Sequence, residues 1–401
     1  MLEKLNKYLK GDPVIWAVIF ALSMVSVLAV YSSTGTLAYR YQHGNTTYYI
    51  AKHGIILIMG LVLIYATHLI PYKFYSRLSQ IFLYISIPLL LLTLALGTNI
   101  NQASRWLTLP VIGLTIQTSD LAKLALIMYM ARMLSLHQND IKDFKAAFLP
   151  IVIPVIIVCM LIMPANLSTA AMLFATCVVL MFIGRISLKH LALLGLAGVF
   201  ALALFVLVAM AFKMDSRIGT WKARIEHFTQ GGQDSYQTEQ AKIAVATGGI
   251  LGKGPGKSTQ RNFLPHPYSD FIFAIIVEEY GLIGGIVILA LYLYVLYRAG
   301  VMVRKSNRTF PAFLSIGLAV SLVFQAMVNM GVAVDLLPVT GQTLPLVSMG
   351  GSSLLFTSVA FGIILSVSRG VDSIEANAEN TGQPETEPKP EADAEPAGQK
   401  V

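Results

Sequence analysis

The sequence predicts an all-α polytopic membrane protein of about ten transmembrane helices, with a long extracytoplasmic loop between the seventh and the eighth. Three observations lead there. Of the 401 residues 55% are apolar and only 12% charged, with mean hydropathy +0.67, well to the apolar side of soluble domains. Apolar runs long enough to cross a hydrocarbon layer recur along most of the chain. Lys and Arg gather in alternate short connections, as they do where basic loops stay in the cytoplasm.

Taken in order, the expected spans are 14–33, 50–70, 78–97, 118–136, 146–163, 167–184, 188–212, 268–297, 310–334 and 346–368. The first follows Lys4, Lys7 and Lys10, as a signal peptide would, but it is long enough to be retained as a spanning helix. Pro154 and Pro164 interrupt the region 146–184, where the division into two spans is least marked. Lys4 to Lys10, Lys73 and Arg77, Arg132 to Lys145, Arg185 and Lys189, Arg298 to Arg308, and Arg369 all fall on one side. That side is the cytoplasm, so both termini are expected there. Loop 213–267 falls outside despite its basic residues, since the charge rule acts weakly on long loops. The expected organisation is a cytoplasmic segment 1–13, a membrane domain 14–370 and a tail 371–401, rich in Glu, Pro and Ala and expected to be disordered.

The net charge of +8 is accounted for by loop basicity toward lipid headgroups, and no nucleic-acid partner is expected. Cys159 and Cys177 lie in apolar runs and read as small buried hydrophobes. The functional groups concentrate in 236–281, where a polar, glycine-rich stretch runs into an apolar helix. Asp270 stands at the join, in the expected first helical turn with Ser269 as a candidate cap, and Glu278 two turns further on the same face. An ionisable group at that depth marks a substrate path or a catalytic group, although a carboxylate favouring the helix dipole explains the position equally well. Gly256-Lys257-Ser258 lacks the spacing of a nucleotide-binding loop, whose first glycine would fall on Leu251. The glycines 248, 249, 252, 254 and 256 with Lys253 and Lys257 instead suit a phosphate or pyrophosphate, or form a merely flexible loop. Arg105 and Trp106 suit a headgroup or sugar at the interface, or a common interfacial tryptophan. Asp120 and Lys123 share a helix face and can pair.

Together these residues resemble the FtsW/RodA family of bacterial cell-wall polymerases over roughly 14–370. The resemblance is carried by Ser104-Arg105-Trp106, by Gln117 to Lys123, and by Asn166-Leu167-Ser168-Thr169-Ala170. It continues in Tyr236-Gln237, Gly252-Lys253-Gly254, Ser258-Thr259-Gln260, Asp270-Phe271-Ile272-Phe273-Ala274 and Glu278-Glu279. It ends in Leu337 to Gly341, Leu344 to Ser348 and Gly350-Gly351-Ser352-Ser353, where Thr343 before Leu344-Pro345 favours the division branch over the elongation branch.

The resemblance implies a peptidoglycan glycosyltransferase that polymerises lipid II at the outer face of the inner membrane, with Asp270 as catalytic carboxylate. It implies substrate contacts by Arg105, Trp106, Lys123, Arg224, Tyr236, Gln237, Lys253, Lys257, Ser258 and Gln260, and a charge network of Asp120, Asn166 and Glu278. Partners would be lipid II, a class B penicillin-binding transpeptidase and other division-complex membrane proteins. No cofactor is required by it, and a divalent cation stays open. Three departures stand out: Gln117-Thr118-Ser119-Asp120 replaces Gln-Pro-Ser-Glu, Ala165-Asn166-Leu167-Ser168 replaces Pro-Asp-Leu-Gly, and Met349 replaces a tyrosine. Thr118 is expected to cap its helix in place of the lost proline, and Asn166 cannot balance a cation. A flippase for the same lipid, or a scaffold for division proteins, would use many of the same features.

Overall fold

A computed structural model describes residues 9–41, 45–96, 98–100, 103–108, 115–211 and 236–381. Each expected span falls on a helix. The helices that carry the expected spans are, in order, α1 Pro13–Ser33, α3 Thr46–Leu69, α4 Tyr72–Leu96, α5 Thr118–Leu136, α6 Leu149–Ile162, α7 Leu167–Ile183, α8 Leu188–Ala211, α10 Ile272–Lys305, α11 Thr309–Ala333 and α12 Ser352–Thr381. Among the described residues two shorter helices, α2 Gly35–Tyr41 and α9 Tyr236–Gly248, lie between the expected spans. Among the described residues seven helical stretches are long and apolar enough to cross a membrane by themselves, while α7 and the apolar part of α8 are shorter. The charges Asp120, Lys123 and Arg132 lower the hydropathy of α5. The chain is a multi-pass membrane protein.

Local chemistry sets the helix limits. Asp12 caps α1 by accepting from the Val14 N–H at 2.9 Å, with Pro13 in the first helical position. The same carboxylate binds Arg298 of α10 at 2.5 Å, tying the two helices together. Asp143 caps a single π-helical turn, Phe144–Phe148, that leads into α6. The two neighbouring backbone N–H groups hold its carboxyl below the usual carboxylate range. Pro154 stays inside α6, and Pro164 sits in the turn before α7, so the interrupted region does divide into two helices.

The bundle is organised around α11, most of whose span is buried, whereas α3 and α4 keep their outer faces exposed for lipid. The long helix α10 is broken at Gly281, whose φ of 70° and ψ of −172° lie outside the helical region. A short N-terminal segment, Ile272 to Tyr280, therefore precedes the main part of the helix.

Two details differ from expectation. A small antiparallel sheet accompanies the helices, formed by Thr98–Ile100 (β1), Ala103–Thr108 (β2) and Thr115–Gln117 (β3) in the order β1-β2-β3. These strands are too short to give a readable alternation. The last helix also runs to Thr381 rather than giving way to a tail at 371, because its Ala- and Glu-rich continuation meets no breaker before Gly382 and Pro384. The remainder of the expected tail, 382–401, lies outside the described residues.

Candidate active site

Asp270 lies in a turn before α10, not in its first helical turn. The helix starts at Ile272 with Phe271 in the capping position and no side-chain cap. Ser269 does not cap either, since its hydroxyl donates to Asp270 Oδ1 at 2.9 Å. The reason is a tight turn in which the Ser269 N–H bonds back to the His266 carbonyl. Asp270 is half-buried, and its backbone is gripped from α11: the Asn329 amide donates to the Asp270 carbonyl at 2.9 Å and to the Gln342 carbonyl at 2.7 Å. Ser348 donates to the Ser269 carbonyl at 2.6 Å, and the Met349 N–H to the Tyr268 carbonyl at 2.9 Å. The catalytic candidate is thus set on a backbone held from two directions.

The segment 342–349 is the hub of the site. Gln342 donates to Thr169 Oγ1 at 2.7 Å, next to Asn166. Gln325 of α11 donates to the Thr343 carbonyl at 2.9 Å and accepts from Lys123 Nζ at 2.7 Å. Lys123 also pairs with Asp120 Oδ1 at 3.5 Å. Asp120 Oδ2 has no hydrogen-bond partner among the described residues, and Asp120 lines a small cavity with Ser321, Ser353 and Thr357. The strands add a further link, for β2 and β3 pair Trp106 with Gln117, whose N–H donates to Ser352 Oγ at 3.1 Å. Arg105 is the preceding residue on β2. Motifs far apart in sequence thereby meet at the head of α5.

Thr118 does not cap α5. The capping position is Gln117, without a side-chain cap, and the Thr118 hydroxyl lies 3.0 Å from that of Thr93 on α4. Asn166 acts locally, capping α7 by accepting from the Thr169 N–H at 3.3 Å. That use of its carbonyl oxygen, and its lack of charge, do not suit a divalent cation shared with Asp120. Among the described residues no three His, Cys, Asp or Glu converge as metal ligands.

The glycine-rich loop also differs from a pyrophosphate nest. Its donors already cradle an anion, the carboxylate of Glu278, which has no solvent exposure. Oε1 accepts from Lys253 Nζ at 2.6 Å, the Thr259 N–H at 3.0 Å and the Thr259 hydroxyl at 2.9 Å. Oε2 accepts from the Ser258 hydroxyl and from the Gln260 N–H at 3.2 Å. Glu279 beside it accepts from the Ser258 N–H at 3.2 Å and from the Ser32 hydroxyl. Arg261 completes the join by donating to the Ser32 carbonyl at 3.0 Å, at the end of α1. A buried carboxylate with this many donors holds its charge without solvent.

The glycines serve close approach. The Gly254 N–H donates to the Glu279 carbonyl at 2.9 Å, and the Leu282 N–H to the Gly249 carbonyl at 2.9 Å. A Cβ at Gly252, where φ is 80°, would stand 2.2 Å from the Glu279 carbonyl oxygen. The kink at Gly281 exists so that the loop can lie backbone to backbone on α10.

Of the expected contacts, Lys253, Ser258 and Gln260 therefore converge on Glu278, and Lys257 stays exposed. Tyr236 and Gln237 open α9, Tyr236 being exposed. Lys242 of α9 pairs with Asp335, anchoring that helix to the turn after α11. Arg224 lies outside the described residues. Sequence reasoning missed Gln325, Asn329 and Gln342, and gave Ser348 only as part of a motif, without a role. The first two carried a signal, being amides one turn apart on an otherwise apolar helix.

Known proteins share this chain's pattern over most of its length. The FTSW_RODA_SPOVE family, described as cell cycle proteins, matches residues 12–372. A probable peptidoglycan glycosyltransferase FtsW of Nitrosococcus halophilus is 34% identical over 81% of this chain and 84% of its own. A protein of the same description from Trichlorobacter lovleyi is 33% identical over 92% of this chain and 97% of its own. In a solved peptidoglycan synthase complex that coordinates polymerization and crosslinking, one chain is 27% identical with a TM-score of 0.66, covering 90% of this chain and 98% of that one. The rod shape determining protein RodA of Thermus thermophilus is 25% identical with a TM-score of 0.64, covering 90% and 97%.

Proposed function

Because the chain belongs to the FtsW/RodA/SpoVE family, we propose that it is a peptidoglycan glycosyltransferase of the division type, polymerising lipid II at the outer face of the cytoplasmic membrane. The observation that carries the reading is Asp270: a half-buried carboxylate on a doubly held turn directly before a long apolar helix. In the reaction Asp270 takes the proton of the acceptor sugar's 4-hydroxyl, within about 3 Å. The freed oxygen attacks the anomeric carbon of the donor, and the bond to undecaprenyl pyrophosphate breaks. Positive charge stabilises the departing pyrophosphate. Lys253 is engaged by Glu278, so the exposed Lys257 is the stronger candidate in the loop, alongside Arg105 and Arg224.

An apolar groove between α7 and α11 suits the lipid tail. Its walls include Ala171, Met172, Phe324, Met327 and Val328. Val328 directly precedes Asn329, which holds the Asp270 backbone. The Lys and Arg distribution supports a cytoplasmic location for both termini, and a class B transpeptidase is the expected crosslinking partner. The test is polymerisation of purified lipid II by the full chain with that transpeptidase. Asp270→Asn should abolish glycan strands while the protein still inserts and binds lipid II. Normal strands from that variant would overturn the assignment and favour a lipid carrier, which has no need of the carboxylate.

A further inference from the structure

His53 stands in α3 with 2% exposure, among groups that the reaction as written does not use. Its Nε2 lies 2.8 Å from the Ser26 hydroxyl of α1, and that hydroxyl lies 2.8 Å from the Val347 carbonyl oxygen. A carbonyl only accepts and a hydroxyl has one proton, so Ser26 donates to Val347 and accepts from His53. The imidazole proton is thereby placed on Nε2. Nδ1 has no partner among the described residues, and a second proton there would be a buried donor with nothing to receive it. His53 is therefore a neutral donor.

Val347 adjoins Ser348 and Met349, which hold the carbonyls of Ser269 and Tyr268 just before Asp270. A leucine and an alanine at these two helix positions would pack without any polar cost. We infer that His53 and Ser26 form a strut from α3 through α1 that positions Asp270 by way of the Val347–Met349 turn. The inference rests on the glycosyltransferase reading. His53 is a positioning residue: it fixes where the carboxylate meets the acceptor hydroxyl, a geometry in which a displacement of about 1 Å costs about a hundredfold in rate.

Two readouts test it on the full chain in lipid vesicles with its transpeptidase: steady-state polymerisation of lipid II, and hydrogen exchange at the Met349 amide. His53→Leu should lower kcat at least about tenfold with KM changed less than about twofold, the signature of a lost orientation rather than lost binding. Exchange at Met349 should rise in the same variant. His53→Gln, whose amide N–H reaches the same hydroxyl, should restore most of kcat and the slow exchange. Ser26→Ala should match His53→Leu, and the double variant should be no worse than either, because both break one path. An unchanged kcat in Ser26→Ala overturns the strut, even where His53→Leu fails to fold. So does a His53→Gln variant as impaired as His53→Leu, or a loss confined to KM. If the parent chain makes no glycan, the glycosyltransferase reading fails, and the exchange comparison still decides the strut.

Discussion

At the scale of single residues, the two loop lysines separate cleanly. Lys253 neutralises a fully buried Glu278, and Lys253→Ala should cost about 1–3 kcal/mol, the order expected when a buried polar group loses a partner. Lys257 is exposed, so Lys257→Ala should leave thermal unfolding in detergent unchanged and raise the KM for lipid II. A raised KM with intact stability in the Lys253 variant would contradict this division of labour. Asn166 shows how a departure from a family pattern is absorbed. It caps α7, so Asn166→Ala should cost about 1 kcal/mol. Asn166→Asp should retain the cap and add a favourable charge at the helix N-terminus; unfolding of both variants in detergent checks the pair.

At the scale of elements, the loop and the N-terminal segment of α10 form one unit joined by backbone hydrogen bonds. Gly252→Ala puts a methyl group at a positive φ and against a carbonyl oxygen. Strain of this kind costs about 1–3 kcal/mol before the clash is counted. The loop should lift from α10, seen as faster hydrogen exchange over 253–260 and a lower unfolding temperature. Protection equal to that of the parent would show that the loop is held elsewhere. The glycines could be counted in the sequence, but their purpose could not. A run of Gly and Lys serves an external phosphate or an internal carboxylate equally well, and only the fold brings Glu278 into the loop. The helices under the expected spans were legible because hydropathy acts within a short window. The small sheet was not, since its pairing joins strands of three and six residues.

At the scale of the whole molecule, polar contacts buried in the bundle converge on 342–349, a segment that sequence reasoning marked as a motif without showing what it holds together. Asp270, Asp120 and Lys123 stand out as charges in apolar surroundings. Gln342 and Ser348 have no such contrast, and their partners on α7 and in the Asp270 turn lie far away in the chain. Residues 382–401 lack the large apolar side chains needed to build any part of this interior. Removing them should leave polymerisation in detergent intact; a folded but inactive truncation would refute that.

The carboxylate cradle also bears on how the chain is made. In the proposed orientation Lys253 to Gln260 emerge from the ribosome, and cross the membrane, before Glu278 and Glu279 are in place. Two adjacent acidic residues arriving in hydrocarbon alone would resist insertion. Here they arrive last, to a loop whose donors are already on the far side. The order of synthesis supplies the receptor before the charge, so moving the loop to the other side of α10 by circular permutation should impair insertion even if every final contact were kept.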